Sequence, residues 1–74
     1  MTIQLASVKD VREFVSLATI QPYPILVEDG ERTVNATSFM EMFTLDLSAP
    51  LRLKIEKENE EHFRAAARGF LASL

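Results

Sequence analysis

No cysteine occurs in this chain, so neither a disulfide nor a thiolate-bound metal can hold it together, and its stability has to come from packing. A reduced, cytoplasmic compartment is the expectation. Basic clusters are missing as well. Eight Lys/Arg against eleven Asp/Glu give a net charge of −3, whereas nucleic-acid binders concentrate positive charge on one face, so nucleic acid is excluded as the expected partner. No run approaches the roughly 18 apolar residues that a membrane helix needs, and the first residues show no basic stretch followed by an apolar one. No membrane association is expected. A single histidine, His62, leaves metal chemistry without a second imidazole or a suitably spaced carboxylate pair. Internal repeats, linkers and low-complexity segments are also absent.

What remains is ordinary for a globular domain: 47% apolar and 26% charged residues over 74 positions. A chain this short buries only about 60% of its unfolded surface, so it forms one domain, residues 1–74, and has no room for a second core.

The pattern along the chain gives seven elements. Thr2 to Ala6 alternates polar and apolar residues, which predicts a strand with Ile3 and Leu5 on one face. Ser7 followed three residues later by Asp10 predicts a capped helix start, with Val8, Val11, Phe14, Val15 and Ala18 as its apolar stripe. Pro22 and Pro24 end that helix before Gln21. Two extended segments, Tyr23 to Val27 and Arg32 to Ala36, flank Glu28-Asp29-Gly30-Glu31 and predict a hairpin turning at Gly30. Ser38 and Glu41 have the spacing of a reciprocal capping box at the head of a short helix ending near Leu45. Leu51 to Glu56 alternates without a fault and predicts a strand whose Arg52, Lys54 and Glu56 face water. Asn59 is the predicted cap of a last helix whose stripe is Phe63, Ala66, Ala67, Phe70, Leu71 and Leu74.

The order β-α-β-β-α-β-α predicts an α+β open-faced sandwich, with three helices on one face of a four-stranded antiparallel sheet. Together with the stretch Thr33-Val34-Asn35-Ala36-Thr37-Ser38-Phe39-Met40, followed by Met42, Leu45, Leu47 and Ser48, this order resembles the HPr family, the histidine-containing phosphocarriers of the bacterial sugar phosphotransferase system. The resemblance spans nearly the whole chain. It implies a sheet in which the fourth strand lies between the first and second. It also implies that Ser38 stands where many HPr proteins of Gram-positive bacteria are phosphorylated by a dedicated kinase, and that Phe39, Met40 and Phe43 stand where the family docks its enzymes and regulators.

One departure decides the expected function. The family opens its first helix with a phospho-acceptor histidine, then an arginine two residues on and a proline after it; those positions here hold Ser7, Lys9 and Asp10. Imidazole forms a phosphoramidate that can be handed onward, whereas a phosphoserine ester is too stable to relay. Asp10 has no paired carboxylate for magnesium beside it and reads as a cap. The expectation is therefore a non-catalytic regulatory or adaptor protein, without cofactor or metal. Its partners would be phosphotransferase-system enzymes, a kinase or a transcription regulator, bound through Phe39, Met40 and Phe43 and controlled at Ser38. Two rivals stand beside it: a phosphocarrier that uses Ser7 or His62 as acceptor, and an unrelated small α+β interaction domain.

Plainer readings attach to the same residues. Ser38 serves as a helix cap whether or not it is modified. At helical spacing, at least two of Phe39, Met40, Met42 and Phe43 are expected in the core. His62 is expected to be exposed near the start of its helix, and the acidic run from Glu56 to Glu61 marks a solvated turn and a favourable helix amino end.

Overall fold

The computed structural model describes residues 1–72. In chain order the elements are β1 (Thr2–Ile3), α1 (Val8–Thr19), β2 (Leu26–Glu28), β3 (Thr33–Asn35), α2 (Phe39–Met42), β4 (Leu51–Lys54) and α3 (Lys57–Ala66), followed by a 3-10 turn at Arg68–Phe70. The strands form one antiparallel sheet in the order β1-β4-β2-β3, so β4 lies between β1 and β2.

Strict alternation sorts the two faces of this sheet. Val27 pairs with Val34 on one side and Leu53 on the other, and Ile3 pairs with Leu51. All five are buried, while Arg52, Lys54, Thr33 and Asn35 between them are exposed. On the solvated face Lys54 lies 3.9 Å from Glu28, an exposed pair of the kind that contributes less than about 1 kcal/mol. The buried face meets the helices through one continuous core in which Phe14 packs edge-on to Phe63 at 6.0 Å and to Phe70 at 5.7 Å. No buried side-chain polar atom among the described residues lacks a hydrogen-bond partner.

Local chemistry explains where the elements start and stop. The Asp10 N–H donates to Ser7 Oγ at 3.1 Å and the Ala6 N–H donates to Asp10 Oδ2 at 2.9 Å, which is the reciprocal cap expected at the head of α1. At its far end, Gln21 satisfies two of the carbonyls a helix leaves open: its backbone N–H reaches Ala18 and its side-chain Nε2 donates to Leu17. Gly30 adopts φ +102, the left-handed conformation the hairpin turn requires.

Several expectations need correction. Val8 is 56% exposed, so the stripe of α1 enters the core only at Val11. The last helix starts at Lys57, two residues before Asn59; Glu56 is its cap position and makes no side-chain capping bond. It also ends early, at Ala66, which is exposed; of the predicted stripe Phe63 and Ala67 are buried, and Phe70 and Leu71 pack against the core, partly buried, from beyond the helix. The 3-10 turn then brings the chain back to the sheet, where Gln4 N–H donates to the Phe70 carbonyl at 2.8 Å and Ala72 N–H to the Thr2 carbonyl at 2.9 Å. Two residues of β1 would otherwise leave an open edge, and a helix continued through Leu71 would forfeit these bonds. Leu74 of the stripe lies outside the described residues. The predicted strands are also trimmed: Leu5 is buried but beyond β1, and β4 stops at Lys54, before Glu56.

Candidate functional site

The short α2 segment is positioned from both ends. Before it, Asn35 Oδ1 accepts from the Thr37 N–H at 3.0 Å and the Thr37 hydroxyl at 2.7 Å, a side-chain turn that delivers Ser38 to the cap position. Ser38 Oγ then accepts from the Glu41 N–H at 3.3 Å. Only half of the expected box forms. The Ser38 N–H donates to the Asn35 carbonyl at 3.1 Å instead of to the Glu41 side chain, so the preceding turn has taken over that half of the capping. After Met42 the chain continues in tight turns, with Thr44 N–H donating to the Glu41 carbonyl at 3.0 Å.

α2 packs on α1 and β3, and the one of its four positions that is completely buried is Met42. Phe39 is half-buried, whereas Met40 is 77% and Phe43 40% exposed. The expectation that at least two of the four are core is thus met fully only by Met42. Phe39 and Phe43, one turn apart, stack edge-on with ring centres 4.9 Å apart, so Phe43 is braced against Phe39 and lies beside the free Met40. Ser38, Phe39, Met40 and Phe43 therefore form one small surface, an apolar cluster with a half-buried hydroxyl at its amino end.

Ser7 and His62 are not brought into that surface by their hydrogen bonds. Ser7 Oγ is spent on the α1 cap, and Asp10 is its partner there. His62, exposed on α3, has Nδ1 2.8 Å from the Tyr23 hydroxyl, and the two rings meet edge-on at 6.0 Å. Tyr23 also lies edge-on to Phe63 at 6.5 Å, and burial pushes its hydroxyl above the ordinary phenol pKa.

Sequence reasoning passed over Asp29. Its Oδ1 accepts from the backbone N–H of Arg32 at 2.8 Å and of Glu31 at 2.9 Å, and its Oδ2 accepts from the Asp46 N–H at 3.0 Å. These bonds, the one from Arg32 foremost, hold its carboxyl at about 2, well below the usual 3.8. The Asp-Gly pair before the turn is a local signal for the first two bonds; no pattern in the sequence signals the third.

Among the described residues no group of three or more His, Cys, Asp or Glu side chains could hold a metal ion, and no helix is long and apolar enough to cross a membrane. A scan of protein families, a search of curated proteins and a search of solved structures find no match to this chain.

Proposed function

We propose that this chain is an HPr-like, non-catalytic regulatory or adaptor protein of the cytoplasm, which binds phosphotransferase-system proteins through the surface of α2 under the control of Ser38. The observation that carries the reading is the pairing, on one short helix, of Met40 and Phe43 held out in solvent with the Ser38 hydroxyl at the helix start. Val8, Ile20 and Leu26 are exposed as well, but Met40 and Phe43 stand with the half-buried Phe39 on one short helix, and a partner that covers this cluster gives its exposure a rationale. The sheet order, with β4 between β1 and β2, supports the same reading, since it is the order the resemblance implied.

Physical chemistry supplies the control. A phosphate on Ser38 places about two negative charges at the amino end of α2 and beside Met40 and Phe43, which opposes burial of that cluster by an apolar partner surface and favours a partner offering arginine.

Two reactions followed by intact mass test the proposal. With phosphoenolpyruvate and the first enzyme of the phosphotransferase system, the mass stays unchanged while a histidine-bearing HPr gains phosphate. With ATP and the HPr serine kinase, the chain gains one phosphate and the Ser38→Ala variant gains none. Phosphate uptake in the first reaction would establish a carrier instead. No uptake in either would remove the kinase-controlled reading and favour an unrelated interaction domain.

A further inference from the structure

A glycine follows an acidic or amide side chain at one place in this chain, Asp29–Gly30. With no Cβ beside it, the glycine nitrogen is open to the carboxyl of the preceding residue, and closing that bond makes a succinimide ring. Nothing around Gly30 stands in the way. It is exposed, and no atom lies within 4 Å of where its Cβ would be. The carboxylate is the part that is held. Its Oδ1 accepts from the N–H of Arg32 at 2.8 Å and of Glu31 at 2.9 Å, and its Oδ2 accepts from the N–H of Asp46 at 3.0 Å. All three donors are backbone N–H groups facing a carboxylate that can only accept, so each bond has one direction.

We propose that Asp29–Gly30 is a site of spontaneous isoaspartate formation, gated by the N–H groups of Glu31, Arg32 and Asp46, so that it reacts when the loop from α2 to β4 lets go of the hairpin. In the reaction the Gly30 nitrogen loses its proton and bonds to the Asp29 Cγ, and the bond from Cγ to one carboxyl oxygen breaks, that oxygen leaving as water. Water then adds to either ring carbonyl. One product restores Asp29; the other routes the main chain through the side-chain carbonyl. Water is the sole co-reactant. The three donors oppose the first step twice over. An ionised carboxylate has no leaving group, and charge-assisted bonds hold Asp29 in that form, with its pKa at about 2. Turning Cγ towards the Gly30 nitrogen also leaves those N–H groups without their acceptor. Two of the donors belong to the turn itself, and the third comes from seventeen residues away, so opening the loop removes the one donor on Oδ2. Once formed, the isoaspartyl link lengthens the main chain by one carbon and shifts the carboxylate, so Asp46 loses its acceptor and the loop below α2 stays untied.

The test incubates the intact protein near neutral pH in heavy-oxygen water and reads label uptake and isoaspartate at Asp29 by peptide mass mapping. Folded wild type is expected to react at least about tenfold more slowly than the same chain in urea, the factor that an opening costing about 1.4 kcal/mol produces. Asp46→Pro has no N–H to give Asp29 and is expected to move the rate towards that of the unfolded chain while circular dichroism shows it folded. Asp46→Ala keeps the N–H and stays at the wild-type rate. A second measurement needs no variant: as urea rises below the unfolding transition, hydrogen exchange of the Asp46 N–H and the Asp29 rate climb with the same slope. Equal rates in folded and unfolded wild type overturn the gating. A folded Asp46→Pro that reacts no faster than wild type, or an Asp29 rate that climbs only with global unfolding, overturns the part given to the loop.

Discussion

The carboxylate of Asp29 accepts the backbone N–H of Asp46 at 3.0 Å, across seventeen residues of sequence. One side chain thereby closes the β2–β3 turn through Glu31 and Arg32 and pins the loop that leads from α2 into β4. The candidate surface on α2 is thus anchored on its carboxyl side by a charge in the hairpin, as it is anchored on its amino side by the Asn35 turn.

Asp29→Asn keeps an oxygen for the turn but presents an amide N–H₂ where Asp46 also donates, so the variant melts below wild type at neutral pH. The pH dependence has a definite sign. The folded pKa of Asp29, about 2, lies below its ordinary 3.8, so its contribution is complete above about pH 4 and is lost as pH falls through about 2. Melting temperatures of both proteins at pH 7 and pH 2 check this: the gap between them narrows in acid. A gap independent of pH would mean the ionised carboxylate is not what matters.

The two glycines predict opposite signs. A Cβ would meet no atom within 4 Å at either position, so space does not distinguish them. Backbone conformation does. Gly30 sits at φ +102, where alanine costs about 1–2 kcal/mol, whereas Gly69 lies in the 3-10 turn without a positive φ, where alanine gains about 0.4–1 kcal/mol by restricting the unfolded chain. Urea unfolding of Gly30→Ala and Gly69→Ala should move the midpoint down and up respectively.

Separating cap from switch at Ser38 takes two substitutions. Ser38→Ala removes the acceptor for the Glu41 N–H and costs about 0.5–2 kcal/mol, towards the low end because that bond is 3.3 Å long. Ser38→Asp keeps a capping oxygen and adds charge, so it unfolds close to wild type. If Ser38 is a switch, the aspartate changes affinity for a phosphotransferase partner more than alanine does, as read by titration calorimetry. Equal affinities would return Ser38 to a purely structural role.

What could be read from sequence was what is local. The alternation of Leu51 to Lys54, the capping of the Asp10 N–H by Ser7 and the turn at Gly30 are each decided within five residues, and each stands in the structure. The burial of Met42 against the exposure of Met40 was not legible, because four residues do not define a helical stripe and the packing of α2 on α1 and β3 chose the inward face. The last helix was overextended for a related reason. Phe70 and Leu71 carry the right periodicity, but the unpaired edge of β1 competes for their backbone and wins. Contacts between distant positions, Tyr23 with His62 and Asp29 with Asp46, leave no periodic trace at all.

The docking reading turns on a contrast between two side chains of similar hydrophobic character. Phe63 is fully buried, edge-on to both Phe14 and Tyr23, so Phe63→Ala opens a cavity and costs about 3–5 kcal/mol, enough to unfold much of so small a domain. Met40 is 77% exposed, so Met40→Ala changes stability by less than about 0.5 kcal/mol. Phe39→Ala falls between them, since Phe39 is half-buried and braces Phe43. Binding should follow a different order: Met40→Ala loses affinity for the partner at unchanged urea midpoint, because the atoms it removes lie on the exposed α2 surface proposed for docking. Unchanged affinity in both Met40→Ala and Phe39→Ala would leave the α2 cluster as an exposed apolar surface with no partner.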